Sequence, residues 1–220
     1  TETAKHLVAA YPNRQGQASL ENAAWEFKTD TWGRILVIGS EWAPRDEVLE
    51  WAKGLCNSKK YKDHTVVFLT HSLLHGKTAH YTAGEGYKIE PRNYGREIWE
   101  KLLYPCKNIR LAVCGHTGHP ASSDGKEPGS SHDHEVNNAY RCDKNSAGRD
   151  VHQMMFNIQC LGGGWEGNGG DGWLRLLEFM PDGKTIKAST YSPLFGISPM
   201  TKHLARQTDP FCQFDMVVEK

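Results

Sequence analysis

Two short apolar runs in this chain each end abruptly in a histidine. Residues 66–69 are followed by Thr70 and His71, and residues 111–114 are followed by Gly115 and His116. In an α/β protein, a buried strand delivers the residue that follows it to the carboxyl edge of the sheet, where ligands bind. Two such histidines predict that the imidazoles meet at one place, and a metal ion is the ligand that imidazoles commonly share.

A second interpretation of these histidines stays open at this point. The chain contains 11 histidines, so some of them follow apolar runs by chance. A single histidine after a strand more often serves as a hydrogen-bonded core or surface residue than as a metal ligand. The repetition of the pattern on two predicted strands favours the metal interpretation.

The overall composition fits one globular domain and argues against two classes of partner. A length of 220 residues allows a sizeable core, and 38% hydrophobic and 24% charged residues are ordinary values for such a domain. The 26 basic residues balance the 26 acidic ones, so no strong field would gather nucleic acid or an anionic membrane. No apolar run approaches the roughly 18 residues of a membrane span. We therefore expect no nucleic acid as a steady partner and no membrane span.

The start of the chain and its cysteines leave the compartment open. The chain begins at Thr1 without a methionine, and residues 1–6 show neither the basic nor the apolar region of a signal peptide. We expect the numbering to begin inside a longer precursor, and an extracytoplasmic location stays a candidate. The 6 cysteines form no Cys-x-x-Cys pair, which disfavours a zinc knuckle, and their even number would permit disulfides without showing any. Cys114 is predicted to be a small buried hydrophobe.

The order of predicted elements indicates an α/β fold. Residues 1–24 are expected to form a helical or irregular lead-in. Strands are predicted at residues 25–28, 34–39, 66–69 and 109–113, with one helix opening at Pro44 and another over residues 96–103. This alternation favours a sheet with crossover connections. The second half predicts a long polar loop over 120–148, a strand over 151–158, a glycine-rich loop over 162–170, and a hairpin of residues 173–179 and 185–191.

Taken in order, these segments resemble the calcineurin-like metallophosphoesterases, and in particular a bacterial subgroup of them. The resembling segments are residues 35–38, 44–52, 70–71, 114–116, 172–179 and 190–193. The resemblance implies a helix-flanked β-sandwich that holds two metal ions at the carboxyl ends of strands and hydrolyses phosphoesters. It implies that His71 is the strand-borne histidine ligand and that His116 is the first histidine of a Gly-His-x-His motif, both on the same metal ion.

The chain departs from the family pattern in two ways. Gly118 stands where the second histidine of Gly-His-x-His belongs, and His119, one residue later, would need a loop shift to replace it. No Asp-x-His, Gly-Asp-x-x-Asp or Gly-Asn-His motif precedes residue 66. Residues 1–220 are therefore expected to be the C-terminal portion of a metallophosphoesterase-like domain whose N-terminal half is missing. Two imidazoles leave a zinc ion short of its four ligands, so we expect weak metal binding unless another polypeptide segment completes the site.

Three functional hypotheses follow from these residues. In the first, the complete protein hydrolyses phosphoesters with divalent Mn, Fe or Zn ions, and His71, His116 and His119 are the candidate ligands. In the second, the chain is a non-catalytic binding module derived from the same fold. In the third, it is a fragment completed by a dimer mate or a partner chain that covers an open strand edge. The sequence leaves the substrate and the oligomeric state open.

Other polar residues are given structural interpretations. Residues 131–135 form a dense cluster of potential metal ligands, but a solvated polar loop is the preferred interpretation. His75 and His80 could reach a phosphate, but we expect them to be exposed loop residues. His152 and Arg175 lie in predicted strands, where packing roles are expected.

Overall fold

The structure is a computed structural model that describes residues 2–75, 78–82, 87, 89–118, 135, 137–159, 161 and 170–219. The strands are β1 Leu7–Tyr11, β2 Asn22–Thr29, β3 Gly33–Gly39, β4 Thr65–Leu69, β5 Ile109–Cys114, β6 Asn138–Lys144, β7 Asp150–Phe156, β8 Leu174–Phe179, β9 Thr185–Tyr191, β10 Arg206–Gln207 and β11 Phe214–Val217. The helices are α1 Glu2–His6, α2 Asp46–Asn57, α3 Gly95–Ile98 and α4 Pro193–Gly196. A π-helical segment, Trp99–Leu103, continues α3, and a 3-10 helix spans Lys202–Leu204. Within these ranges, no helix has the length and apolar character needed to cross a membrane.

The larger sheet is mixed and has seven strands in the order β1-β2-β3-β4-β5-β7-β6. Strands β3, β4, β5 and β7 are parallel to their neighbours in this central block. The flanking strands β1, β2 and β6 pair antiparallel with their neighbours. Helix α2 lies between β3 and β4 in the chain, and α3 lies between β4 and β5. The α/β class and the crossovers predicted from the alternation of apolar runs are confirmed.

One face of the larger sheet is covered by helices. Helix α2 turns Val48, Leu49, Ala52 and Cys56 inward, and its first turn carries Asp46 and Glu47, whose charges suit a helix N-terminus. The main core between the helices and the sheet includes these fully or nearly fully buried side chains: Leu36, Ile38, Leu49, Val66, Phe68, Ile98, Leu102, Leu103, Ile109 and Met155. Strand residues two apart, such as Val66 and Phe68, contribute to this face because successive side chains alternate.

A smaller sheet forms around β9. Strand β8 pairs with β9 along its whole length, while β10 and β11 pair with different parts of β9. Since β8 occupies one side of β9, β10 and β11 lie end to end on the other. In the turn between β8 and β9, the Asp182 carboxylate accepts hydrogen bonds from the Lys184 and Thr185 backbone amides, at 2.9 and 2.8 Å. The predicted hairpin is confirmed.

The two sheets pack against each other through a second core. The larger sheet and the segment that precedes β3 contribute Trp32, Ile35, Val67 and Leu111, and the smaller sheet with its C-terminal extension contributes Ile186, Ala188, Met216 and Val218. Arg175 of β8 crosses between the sheets, since its guanidinium donates to the Asn138 side chain of β6 at 2.5 Å and lies over the Phe156 ring. The molecule therefore has three layers: helices, the larger sheet and the smaller sheet. The structural role predicted for Arg175 is confirmed.

Strands lie in two segments that were predicted to contain none, the lead-in over residues 1–24 and the loop over residues 120–148, and both predictions were wrong on this point. The helical part of the lead-in is confirmed by α1. Residues 1–24 include β1 and the start of β2, and the predicted loop 120–148 includes β6. Both β1 and β6 are outer strands of the larger sheet. Strand β6 carries polar residues at most positions, which hides the apolar pattern of a strand, whereas β1 is an apolar run of only five residues, and short apolar runs do not by themselves distinguish a strand from a helix. The ligand-rich residues 131–134 and the glycine-rich residues 162–169 lie outside the described residues.

The helix-facing core gives a test of this layer arrangement. Phe68 is fully buried and Phe27 is 37% exposed. We expect Phe68→Ala to lower the free energy of unfolding by about 3–5 kcal/mol, because it leaves a cavity in the core. Phe27→Ala is the matched control and should cost less than about 1 kcal/mol. Urea denaturation of both variants measures the difference, and equal losses would contradict the assigned faces of the sheet.

Candidate functional site

Four parallel strands end at one edge of the larger sheet, and the segments that follow them meet there. Three backbone hydrogen bonds hold these segments together beyond the strand ends. The Ser40 amide donates to Leu69 at 2.9 Å, the Thr70 amide to Val113 at 3.1 Å, and the Gly115 amide to His71 at 3.0 Å. The segments after β3, β4 and β5 are thereby fixed relative to one another.

The two strand-following histidines are in direct contact at this edge. His116 Nδ1 lies 2.9 Å from His71 Nε2, and the ring centroids are 4.6 Å apart. At this distance one nitrogen donates a proton to the other, and the tautomer decides which. His71 is exposed and His116 half-buried, so the pair is open to solvent. The prediction that the two imidazoles meet is confirmed.

The spacing of the two nitrogens suits two ligands of one metal ion. Nitrogens bound at about 2.05 Å to the same ion lie about 2.9 Å apart at a right angle and about 3.3 Å apart in a tetrahedron. The 2.9 Å separation therefore fits either geometry with a displacement of a few tenths of an ångström. In the part of the chain that the structure describes, no group of three or more His, Cys, Asp and Glu side chains is arranged to hold a metal ion. His119, the third predicted ligand, lies outside that part.

The backbone of His116 adopts a conformation that is uncommon for a histidine. Its φ is +66°, in the left-handed region. The Asn157 side chain, which follows β7, donates to the His116 carbonyl at 2.8 Å. The Thr117 hydroxyl donates to the Leu74 carbonyl at 2.9 Å. These two bonds stabilise the turn and so fix the point from which the His116 imidazole extends.

A tryptophan that sequence analysis did not single out packs on both histidines. The Trp42 ring lies 5.1 Å from the His71 ring, 4.9 Å from the His116 ring and 5.0 Å from the Tyr87 ring. These side chains border a cavity of about 510 Å³, within the size range of small-molecule sites. The residues that line it are Trp42, His71, Tyr81, Tyr87, His116, Thr117, Gly118 and Gln159.

A buried carboxylate fixes the segment that carries Trp42. Glu41 is 5% exposed, and its carboxylate accepts hydrogen bonds from Arg45 Nε at 2.9 Å and Asn22 Nδ2 at 3.0 Å. The Arg14 guanidinium lies 3.5 Å from it. Burial by itself raises the pKa of Glu41, but the bonds from Arg45 and Asn22 and the charge of Arg14 outweigh burial and lower it. Glu41 is thus an anchor for the Trp42 segment, with its oxygens already engaged.

Three buried polar atoms at the same edge lack partners among the described residues. They are Trp42 Nε1, Thr70 Oγ1 and Ser72 Oγ. Buried polar atoms are nearly always hydrogen-bonded in a native protein, and each exception needs an explanation. Their grouping around His71 is consistent with further groups completing this edge.

Three other predictions about individual residues have different outcomes. His80 is 8% exposed, bonds to Gln153 at 2.7 Å and stacks on Trp99, so the prediction that it is an exposed loop residue was wrong. The sequence gives no sign of this burial, because His80 lies in a polar segment and its partner Gln153 lies far along the chain. His152 bonds to the Tyr140 hydroxyl and the Val217 carbonyl, at 2.7 and 2.9 Å, which confirms its structural role. Cys114 is buried, as predicted, and burial raises the pKa of its thiol to about 11.

Comparisons with known proteins identify one distant relative and no family. The chain is 25% identical over 188 residues to the uncharacterized protein YvnB of Bacillus subtilis (strain 168). The match covers 86% of this chain but 12% of that protein, so the chain spans about an eighth of the relative's length. No family model matches the chain, and no solved structure matches it. The fold and site define an α/β protein with one mixed and one antiparallel sheet and a histidine pair at the carboxyl edge of the mixed sheet.

The Glu41 anchor predicts an acid-dependent loss of stability. Because the folded-state pKa of Glu41 lies below its ordinary value of 4.5, the folded state binds fewer protons than the unfolded state in that range. The stabilisation is therefore complete above pH 4.5 and is lost as the pH falls through the folded-state pKa. We expect Glu41→Gln to lower the free energy of unfolding at pH 7 by about 1–3 kcal/mol and to flatten its fall between pH 5 and 3.

The matched control for that experiment is Glu178→Gln, since Glu178 is an exposed glutamate on β8. Denaturation curves of the three proteins across the pH range give the comparison. If the free energy of unfolding of Glu41→Gln fell with pH as steeply as that of the wild type, the Glu41 carboxylate would not be the anchor.

Proposed function

We propose that the complete protein hydrolyses phosphoesters with divalent metal ions, and that His71 and His116 supply two of the ligands. The observation that carries the proposal is the 2.9 Å contact of the two imidazole nitrogens beside an open cavity. Imidazole nitrogens suit Zn and Fe among the three candidate metals. The ordered resemblance to the calcineurin-like metallophosphoesterases supports this class, and so does the position of the pair at the carboxyl ends of parallel strands.

The described residues have separate roles in this proposal. His71 and His116 hold the ion as neutral imidazoles, with Asn157 fixing the His116 turn. Trp42 forms an apolar wall against both rings and limits the approach of water from its side. The cavity beyond Tyr87 receives the ester. When bound, the ion supplies Lewis-acid activation of the phosphoryl group.

The proposal also requires ligands beyond these two. A zinc ion takes four ligands and a two-metal site needs more, whereas the part of the chain that the structure describes holds no group of three or more such ligands. We propose that the rest come from a preceding segment of a metallophosphoesterase-type domain, from residues such as His119, or from a partner chain. The unpartnered atoms around His71 and the 12% coverage of YvnB support completion by other residues.

The histidine pair predicts a measurable metal affinity. We expect the chain to bind Zn²⁺ or Mn²⁺ weakly and each of His71→Ala and His116→Ala to reduce that affinity at least about tenfold. Asn157→Ala should reduce it by about tenfold, because supporting bonds to metal ligands typically have effects of this size. Titration calorimetry with each metal measures the affinities.

His203→Ala is the control for surface histidines, because His203 is exposed on the 3-10 helix Lys202–Leu204. The metal affinity of His203→Ala should equal that of the wild type. If the metal affinities of His71→Ala and His116→Ala also equalled that of the wild type, both histidines would be excluded as ligands.

Catalysis is tested on the full-length protein. We expect it to hydrolyse p-nitrophenyl phosphate or bis(p-nitrophenyl) phosphate in the presence of Mn²⁺, Fe²⁺ or Zn²⁺ and to stop when a chelator is added. His71→Ala should lower kcat more than about a hundredfold, beyond the range typical of supporting residues, while His203→Ala retains the rate. If the full-length protein binds metal but hydrolyses neither ester, the proposed phosphoesterase activity is refuted.

The second candidate function is a binding module without catalysis. It is favoured by one observation, the absence of carboxylates from the described lining of the cavity, since bridging carboxylates are the usual means of holding two metal ions together. Saturable binding of the nitrophenyl esters with no turnover would select this function.

A further inference from the structure

A second cavity lies at the opposite edge of the larger sheet, where the parallel strands begin. Its volume is about 460 Å³. The lining comes from the starts of β3, β4 and β5 and from the residue before β7: Asp30, Thr31, Trp32, Gly33, Arg34, Lys62, Asp63, His64, Thr65, Asn108, Arg110 and Arg149. From Thr65 to His71 the chain advances six residues at about 3.3 Å each, so this amino-edge cleft is about 20 Å from the histidine pair.

Arg110 places a buried positive charge in the amino-edge cleft. It is 3% exposed, and its guanidinium donates to the backbone carbonyls of Glu219 at 2.9 Å, Lys107 at 2.7 Å and Ile109 at 3.1 Å. All three acceptors are neutral, and Nη2 has no acceptor among the described residues. Burying a charge is costly unless a counter-charge accompanies it. The charges of Glu219 and Asp150 act on Arg110, but it forms no ion pair with a described carboxylate, so it retains a charge and a donor for an anion.

Arg149 faces the same cleft with a second guanidinium. Burial, and after it the charge of Arg149, lowers the pKa of Arg110 to about 10, with Glu219 and Asp150 acting in the opposite direction. Arg110 thus stays protonated at neutral pH. Two cations that repel each other across a cleft are both stabilised by an anion between them.

The other charged groups of the amino-edge cleft are largely compensated. Arg34 pairs with Glu26 at 3.1 Å, and Lys62 pairs with Asp63 at 3.0 Å. His64 bonds to the same Glu26 carboxylate at 3.0 Å. Among the acidic side chains of the lining, Asp30 forms no ion pair with a described residue. Its single negative charge offsets one of the two positive charges of Arg110 and Arg149, which leaves the cleft with a net charge of about +1.

The neutral lining shapes the space around these charges. The Trp32 indole N–H donates to the Met180 carbonyl at 2.7 Å. The Asn108 side-chain amide donates to the Cys56 and Tyr61 carbonyls at 3.1 and 3.0 Å. Trp32 therefore offers its ring as a wall rather than its donor. The donors that face a ligand are the guanidiniums.

We infer that the amino-edge cleft binds a phosphate-type oxyanion between Arg110 and Arg149, at a site separate from the histidine pair. Guanidinium groups present paired N–H donors that match the oxygens of phosphate, which makes arginine the preferred residue for such anions. The ligand class is a small phosphate or a phosphate group on a larger molecule. The open side of the cleft, bordered by exposed Arg149, admits either.

The inference is tested with inorganic phosphate on the intact chain, by titration calorimetry against chloride at matched ionic strength. We expect saturable binding, with sulfate competing and acetate binding at least tenfold more weakly. Arg149→Ala should weaken phosphate binding at least tenfold and leave the melting temperature near that of the wild type, because Arg149 is exposed. Arg110→Met tests the buried partner, and Arg149→Ala decides the outcome if that variant does not fold.

Two controls separate this site from surface charge and from the metal site. Arg96→Ala removes an exposed arginine that pairs with Glu100 on the helical layer and should change the affinity less than twofold, as should His71→Ala. An absence of saturable binding, an unchanged affinity in Arg149→Ala, or a loss of binding in His71→Ala would each overturn the inference. Acetate binding as tight as phosphate would overturn the phosphate assignment.

Discussion

The parallel pairing of β4 with β5 is the constraint on which the candidate site depends. Leu69 lies opposite Val113 in the register of these strands, and the Gly115 amide continues the pairing by donating to the His71 carbonyl. A shift of one residue would turn every side chain of a strand to the other face and would separate the imidazoles. The register is secured because both faces of β4 are buried, with Phe68 toward the helices and Val67 toward the smaller sheet.

The same strands organise both edges of the larger sheet, and the two edges differ in chemistry. The carboxyl edge gathers neutral polar, aromatic and histidine side chains around the 510 Å³ cavity. The amino edge gathers basic residues around the 460 Å³ cleft. In an α/β sheet, ligands are expected at the carboxyl edge, so the histidine pair occupies the conventional position. The amino edge is the less expected one, and its buried Arg110 is the feature that distinguishes it from an ordinary polar surface.

Sequence patterns predicted the strands that are buried on both faces but missed the outer strands of the larger sheet. The runs that became β3, β4 and β5 were found because continuous apolar residues mark strands covered on both faces. The outer strand β6 was missed because it carries polar residues at most positions, and the outer strand β1 because a five-residue apolar run does not by itself distinguish a strand from a helix. His71 and His116 were found by the rule that strands deliver residues to an edge. The same rule would have found Trp42, three residues after β3, and Asn157, directly after β7. Neither was singled out, because a tryptophan and an asparagine carry no ligand signature by themselves. Glu41 and Arg110 depend on partners far along the chain, which no local pattern reveals.

The position of Trp42 gives the chain an internal optical reporter. Its indole lies within about 5 Å of both imidazoles, so its emission depends on the environment of these two rings. The difference between the emission of the wild type and that of Trp42→Phe therefore isolates the signal of the indole beside the histidine pair from those of the other tryptophans of the chain. The tryptophan that borders the cavity is thus also a fluorescent probe of the side chains that line it.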